Sequence, residues 1–581
     1  MNKPIMWLAP AVSLCAAWPL QAQELDPALN RSETVVRAAA AQPEQGWSVA
    51  ARGAVSVGTA IRNSAQKSTL RAGGATNSDD GNLNYLNGDT FSRVVQGVLA
   101  LDLKHSGGYG VAASAHAWYD DNLLHHAVPQ GNNPNNYLPG PLSDHGFDPE
   151  ARFDGIALLN AYAYGSHQGG AGTLAWRLGR MQLERMTEFG FSGGLRDLEV
   201  RNVPGSTRPG ALREEGIIPV WAATARLDLN PAWRVEGFWQ LAPEHSVANG
   251  CGTFLSSTDY SQPGCERVFY SSKLTQAQNT ARGIYFSRGE DVTPAARPDQ
   301  FGVSTTYQAA AINTRVTAFY AHYDSRDGYT SSLKGTGLGP ASGGRYAIEY
   351  PGDKNLLALS TTTRFAPANV TWTNEASVTG RQPVQLNTSD LLAAGLGAGG
   401  VLGPQLAAAP NHSLFHGYRR FTVSQWQSGV RKTFDRLTAS TSAFIEAEAS
   451  VKHVNGLPDV SLLHFGRPEV SDACDVPADC AGNIGYVTPT AWSYRLRAGA
   501  EWRDPLPGIL KLQPSVLFGH DVHGWSYDYA FVQDRKTLRV ALDATFAGGV
   551  FASASVINTW DGQFNSRRDR DYLTFSVGKR F

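Results

Sequence analysis

The sequence predicts an all-β chain folded as a single large transmembrane antiparallel β-barrel, with long extracellular loops folding over or into its lumen. Three observations carry that prediction. The first is the C-terminal stretch Asp571 to Phe581 (DYLTFSVGKRF), which alternates with a period of two. Leu573, Phe575, Val577 and Phe581 share one face, and Tyr572, Thr574, Ser576, Gly578 and Arg580 the other. Lys579 interrupts the apolar face, where a long aliphatic stem can snorkel to water. The second is that, beyond an N-terminal leader, no apolar run reaches helical membrane-spanning length, so the chain crosses a bilayer by strands or not at all. The third is a hairpin. Trp221, Ala223, Ala225, Leu227 and Leu229 lie opposite Thr224, Arg226 and Asp228; Asn230-Pro231 turns the chain; Trp233, Val235, Gly237, Trp239 and Leu241 then lie opposite Arg234, Glu236 and Gln240. One face suits lipid and the other must stay wet.

At the start, Lys3, the mostly apolar run Ile5 to Leu20 and the small residue Ala22 read as a secretory signal peptide over 1–22, cut after Ala22. The run is short for an uncleaved anchor and is broken by Pro10 and Pro19. Cys15 leaves with it, and its surroundings lack the small residue that precedes a lipidated cysteine. Residues 23–46 read as a periplasmic N-terminal segment or small plug, and 47–581 as the barrel. With 50 Lys+Arg against 51 Asp+Glu, the charges nearly cancel, which argues against a nucleic-acid surface. No composition shift marks a second domain, and one large barrel absorbs the whole length.

Alternating segments of the same kind recur along the chain. Ala443, Ile445, Ala447, Ala449 and Val451 face away from Glu446 and Glu448; Trp492, Tyr494, Leu496, Ala498, Ala500 and Trp502 from Arg495, Arg497 and Glu501; Leu538, Val540, Leu542, Ala544 and Phe546 from Arg539, Asp543 and Thr545. The predicted lumen charges are therefore Arg226, Asp228, Arg234, Glu236, Glu446, Glu448, Arg495, Arg497, Glu501, Arg539 and Asp543. Short polar turns near 105–110, 168–173, 230–231, 366–368, 503–508 and 547–549 alternate with long connections at 121–152, 184–216, 242–299, 382–419 and 455–488, which makes the short side periplasmic. Counting from Trp47 gives an even strand number of 14–18, with eighteen the count reached and the weakest strands around 344–359 and 421–435. All must close on one another, since an open edge is unsatisfied in hydrocarbon.

Cys251 with Cys265, and Cys474 with Cys480, lie in loop segments and read as two local disulfides; the spacing is wrong for a tetrathiolate metal site.

Two loops are the candidate functional stretches. Leu391, Leu392, Leu396, Val401 and Leu402 form an apolar piece in a region that should be wet, with Thr388 or Ser389 capping a short helix; such a loop either captures a hydrophobic cargo at the mouth or packs on its neighbours. The connection 184–216 carries Phe189 and Phe191 among glycines, then Arg196, Arg201, Arg208 and Arg213. If it dips into the lumen, its arginines can pair with Glu236, Glu446 or Glu448 and hold a plug, or take the head group of a carboxylated lipophile. Ser192 has the spacing of a nucleophile elbow without the strand, turn and helix that motif requires. Asp79, Asp80, Asn82 and Asp89 are hard-cation ligand material for calcium, but their spacing is not that of a calcium loop and Asx turns explain them more simply. His125-His126 point in opposite directions on an extended chain and make a weak metal signal. No cofactor motif is visible.

The stretch DDGNLNYLNGD (79–89), the strand Val94 to Lys104, Cys251-Gly252-Thr253-Phe254 with Cys265, and Arg208 to Glu215 leading into Pro219-Val220-Trp221 resemble the DUF1302 family of bacterial outer-membrane proteins, distantly grouped with long-chain fatty-acid channels of the FadL type. A barrel chain ending on an aromatic residue fits that resemblance. It implies a monomer in the Gram-negative outer membrane, among lipid and lipopolysaccharide, that passes hydrophobic or amphipathic small molecules such as fatty acids, hydrocarbons, aromatics or steroids. It also implies possible partnership with a periplasmic lipid-handling protein and an inner-membrane transporter of the RND type. Where relatives look tryptophan- and glycine-rich, this chain has Met186-Thr187-Glu188-Phe189-Gly190-Phe191. Export of lipids or metabolites and a general diffusion porin are the competing readings; catalysis is not expected.

Overall fold

Eighteen antiparallel strands of alternating sequence follow one another around a ring in the computed structural model. It describes residues 46–581 except 68–79, 184–186, 257, 270, 272, 295–298, 398 and 468–481. The predicted signal peptide, Asp79, Met186, Cys474 and Cys480 lie outside the described residues. The barrel strands are β1 (Trp47–Arg62), β2 (Thr90–His105), β3 (Tyr109–Asp120), β4 (Asp154–Gly169), β5 (Gly172–Met181), β6 (Val220–Asn230), β7 (Trp233–Gln240), β8 (Gln300–Ala309) and β9 (Thr314–Tyr323). They continue with β10 (Lys354–Phe365), β11 (Val370–Gln385), β12 (Tyr418–Thr438), β13 (Thr441–Asn455), β14 (Thr490–Leu506), β15 (Ile509–His523), β16 (Lys536–Phe546), β17 (Val550–Trp560) and β18 (Tyr572–Arg580). Each pairs with its sequence neighbours, and β18 returns to β1 with Ala54 opposite Arg580 and Arg62 opposite Tyr572. Gly53 and Phe581 exchange backbone hydrogen bonds of 2.9 and 3.0 Å at the seam, so the ring is closed. Closure leaves no strand edge unpaired in hydrocarbon, the condition for spanning a bilayer by strands. No helix among the described residues is long and apolar enough to cross a membrane.

The two faces of each strand separate as the alternation predicts. Val95, Leu99, Leu101 and Leu103 of β2, Leu357 and Leu359 of β10, and Leu496 of β14 are exposed on the outside of the ring, whereas Thr574 and Ser576 of β18 and Gln425 and Gln427 of β12 are buried inside it. Exposed aliphatics beside buried glutamines invert a soluble protein and fit a lipid-facing wall. Aromatics gather at both ends: Trp47, Tyr109, Trp233 and Tyr307 at the short-turn end, Trp221, Trp239, Phe301 and Tyr320 at the long-loop end.

At the periplasmic end Asn313 and Asn369 take positive φ (49° and 48°) in the turns after β8 and β10, a backbone that asparagine tolerates because its side chain bonds locally. The long connections build structure of their own. Arg267–Phe269, Tyr285–Arg288, Tyr329–Leu333, Arg345–Glu349 and Leu414–Phe415 form a five-stranded sheet drawn from three different loops. This corrects the weak strand expected over 344–359: its first part belongs to that sheet, and only the part from Lys354 enters the barrel. The segment 421–435 lies within β12, a full barrel strand of 21 residues.

Candidate functional site

The connection from β5 to β6, residues 182–219, runs into the lumen and across it. At one end Gln96 Nε2 donates to the Pro209 carbonyl (2.9 Å) and Ser56 Oγ to that of Gly210 (3.1 Å), from the inner faces of β2 and β1. Gly58 of β1 permits this approach, because a Cβ there would stand 2.5 Å from the Pro209 carbonyl oxygen. At the other end Thr187 donates to Glu375 of β11, and Gln425 Nε2 of β12 donates to the Ser192 carbonyl (2.9 Å). In an eighteen-strand ring, β2 and β11 stand opposite one another. The segment therefore bridges opposite walls, and Phe189 and Phe191 are buried inside the barrel.

Between these anchors the chain uses short helical turns. Gly193, at φ +86°, starts the turn Gly194–Leu198, whose Leu195 and Leu198 pack on Phe238, Phe319, Tyr323 and Leu356 of the inner wall. Asn202 caps the next turn, Val203–Thr207, by accepting from the Gly205 N–H (2.9 Å). On the return arm, buried His116 of β3 lies 3.3 Å from Glu215 and 3.1 Å from Glu150, and Glu150 also accepts from Asn202 Nδ2 (2.8 Å). Burial by itself would raise the Glu150 carboxyl; its bonds to His116 and Asn202 and the nearby Arg208 outweigh that and hold it below its ordinary value.

The densest contact surrounds Ser192. Its hydroxyl donates to Asp528 Oδ2 (2.6 Å) and accepts from Lys452 Nζ (3.0 Å), while Lys452 and Asp528 form a direct ion pair. Three parts of the chain thus meet: the lumen segment, the inner face of β13 and the loop between β15 and β16. Burial alone would raise the Asp528 carboxyl, but the Lys452 ammonium and bonds from Ser192 and Ser526 bring it down to about 2. With its hydroxyl donating to Asp528 and accepting from Lys452, Ser192 holds the segment in position.

The plug arginines make the following contacts. Arg201 pairs with Asp327 (2.6 Å), Arg196 with Glu199 (3.1 Å), and Arg208 lies 3.9 Å over the Trp118 ring; Arg213 sits in the turn Arg213–Gly216. Glu446 pairs with Arg431 inside the wall. A cross-link from wall to plug also runs with the opposite polarity, Lys354 to Asp197 (3.4 Å).

The predicted lumen charges lie on the inner wall in two groups. Asp228 joins Arg226 (3.0 Å) and Arg234 (2.6 Å), with Glu236 opposite Arg226 in register. Across the ring, Glu446 stands opposite Arg497 and Glu448 opposite Arg495; Glu501 takes Arg503 (2.7 Å) and Lys511 (3.5 Å); Asp543 accepts from Ser553; Arg539 continues the row on β16. Aromatic rings sit among them: Arg495 lies 4.1 Å over Phe191, and Arg431 and Arg497 lie 3.8 and 5.5 Å over Phe444.

Above the plug, a partly open cavity of about 60 Å³ is walled by Phe91, Leu123, Phe153, Pro204, Phe254 and Leu255, with Arg152, Thr207 and Arg208 also in its lining. The other candidate loop is packed. Leu391, Leu392 and Leu402 are buried and Leu396 partly so, against neighbouring loop and strand-end residues, while Val401 is exposed. Its helix Thr388–Gly395 is capped by Asn387, which accepts from the Asp390 N–H (3.0 Å), in place of the expected Thr388 or Ser389. Cys251 and Cys265 are bonded. Asp80, Asn82 and Asp89 turn to three separate partners, Gln276, Asp569 and the Leu86 N–H. His125 pairs with Asp121 on the surface.

The family model described as "Protein of unknown function (DUF1302)" matches residues 3–581. The chain belongs to the DUF1302 family. Its closed ring of eighteen strands with an apolar outer belt makes it a transmembrane β-barrel. No protein of curated function matches it. Among solved structures it is similar to OccK2 (OpdF) of Pseudomonas aeruginosa at 9% identity and TM-score 0.40, over 92% of this chain and 97% of that one. It is similar also to OccAB3 of Acinetobacter baumannii (9%, TM-score 0.42, over 92% and 99%) and to P. aeruginosa OpdK with vanillate (10%, TM-score 0.40, over 91% and 98%). These likenesses are too distant to bring a cargo with them.

Sequence reasoning missed Lys452, Asp528, His116 and Glu375. The signal for Lys452 was present, since it continues the inward face of Glu446 and Glu448. Nothing local marked Asp528.

Proposed function

We propose that this barrel is a gated, selective channel for small amphipathic molecules with an apolar body and an anionic head. The observation that carries the reading is the segment 187–219 stretched between opposite inner walls and held there by hydrogen bonds, ion pairs and the packing of Leu195 and Leu198. A general pore would leave that path open; here cargo passes only when the segment shifts. The cargo class is drawn from what surrounds the segment: a cavity with apolar walls, edged by Arg152, Arg208 and Asp120, and, buried within the packed lumen, rings under guanidinium groups at Phe191 and Phe444 that displacement of the segment would uncover. Rings and aliphatic walls accept an apolar body, and arginine forks accept a carboxylate. Periplasmic lipid-handling and RND-type partners, implied by the family resemblance, would set the direction of flow.

The test is conductance of the purified barrel in a planar bilayer, wild type against a variant with residues 188–215 replaced by a short Gly/Ser turn. The expected result is low, flickering current for the wild type and a several-fold larger steady current for the variant. Equal, open conductance in both would overturn gating and return the general-pore reading. Aromatic carboxylates should block the variant's current at lower concentration than uncharged aromatics of the same size; equal block would remove the anionic head from the proposal.

A further inference from the structure

We infer that His322, Asp299 and Asp353 form a divalent transition-metal site on the outer rim of the barrel, away from the lumen and independent of the gating proposed above. The three residues stand at the extracellular ends of β8, β9 and β10: Asp299 just before β8, His322 one residue from the end of β9, and Asp353 just before β10. One ligand atom from each lies within 4.8 Å of the others, and each residue is half-buried. Bonds of about 2.1 Å to a tetrahedral Zn²⁺ place ligand atoms about 3.4 Å apart. The trio therefore needs to draw in by little more than an ångström.

The surroundings orient each ligand. Asn355 Oδ1 accepts from the Tyr320 hydroxyl and lies 3.0 Å from His322 Nδ1. An amide oxygen only accepts, so Nδ1 is the nitrogen that donates to it and Nε2 is the one that faces the carboxylates, the orientation that metal-bound histidines take from an outer partner. Nε2 lies 3.8 Å from Asp353 Oδ1. The other oxygen of that carboxylate, Oδ2, is the one that meets Arg381 (3.2 Å), so the ion pair leaves Oδ1 to a metal. Asp353 is held in its turn at φ +63°, and its N–H donates to Asp324 Oδ1 (3.1 Å). Four carboxyl and imidazole groups thus crowd one rim position, where Arg381 meets Asp353 and Arg420 donates to the neighbouring Gly352 carbonyl (2.8 Å).

One imidazole and two carboxylates suit Zn²⁺ or a neighbour in the first transition row. Calcium and magnesium prefer all-oxygen sets with more ligands. His322 shares the outward face of β9 with exposed Tyr320, so the remaining coordination positions open toward the head-group layer. A bound ion would cross-link three strand ends.

The test is metal retention by the full chain, purified in detergent, stripped with chelator, loaded with Zn²⁺ and passed through gel filtration before elemental analysis. The expected result is one Zn²⁺ per chain, not displaced by millimolar Ca²⁺. His322→Ala should lose it. Asn355→Leu should weaken it about ten-fold or more, as loss of an outer partner does, while Asn355→Asp retains it. A control lacking His125 and His126 should keep the ion. Heat-modifiable migration like that of wild type verifies that each variant is a folded barrel. No retained Zn²⁺ in the wild type, or undiminished Zn²⁺ in folded His322→Ala, would overturn the site.

Discussion

Lys452 shows how one residue can join wall, plug and loop. Its ammonium is nearly inaccessible and meets Asp528 and Ser192 together. Removing one partner of a buried pair leaves the other uncompensated and costs about 3–5 kcal/mol. Lys452→Met is expected to loosen the plug and raise the open fraction in bilayer recordings by more than ten-fold, with little change in the current of a fully open channel. The pH dependence has a definite sign. Asp528 is held near 2 chiefly by the wall residue Lys452, with bonds from Ser192 and Ser526 adding to it; release of the plug removes the Ser192 bond alone and lets the carboxyl rise part of the way toward its ordinary value. A depressed carboxyl stabilises the docked state above its released value, and that contribution is lost only as pH falls through the docked one. Asp528 should therefore add no pH dependence to open probability from pH 5 to 8; a change within that range would come from another group at the plug, such as His116 beside Glu215.

Among the elements, the helix Thr388–Gly395 and the loop sheet separate what periodicity reveals from what it hides. The leucines at 391, 392 and 402 were legible as an apolar loop that needed cover. What covers them, Val384, Val423, Val454 and Phe465 around Leu391 and Leu402, and Tyr260, Val268, Phe286 and Tyr346 around Leu392, comes from other strands and loops and could not be read locally. Leu391→Ala should leave a cavity and cost about 2–5 kcal/mol, measured as a lower thermal midpoint of the purified barrel; if conductance and cargo block stay at wild-type values, the loop acts by packing. The five-stranded sheet was missed for a similar reason. Its strands are two to five residues long and come from three connections, too short for any period to register. The charged hairpin β6–β7, by contrast, was visible in full, because its partners are its sequence neighbours and the turn Asn230-Pro231 fixes the register.

For the whole molecule, the consequential division is between the outside and the inside of one wall. Leu359 and Ser360 are adjacent at the middle of β10 and point to lipid and lumen respectively. Leu359→Arg should destabilise the barrel by about 2–4 kcal/mol, whereas Ser360→Arg should cost far less; urea titration of the refolded protein in vesicles distinguishes them, and equal costs would contradict the assignment of faces. Alternation and turn chemistry were enough for the sequence to determine an even, closed barrel of 14–18 strands, with eighteen the count reached, because each strand's hydrogen-bonding partners are its neighbours along the chain. Only the tertiary structure decided that residues 187–219 reach the opposite wall, that Ser192 meets Lys452 and Asp528, and that Asp299, His322 and Asp353 share a rim. Those contacts join positions tens to hundreds of residues apart, and they depend on the curvature by which a ring brings distant strands face to face, a quantity that no local pattern of residues encodes.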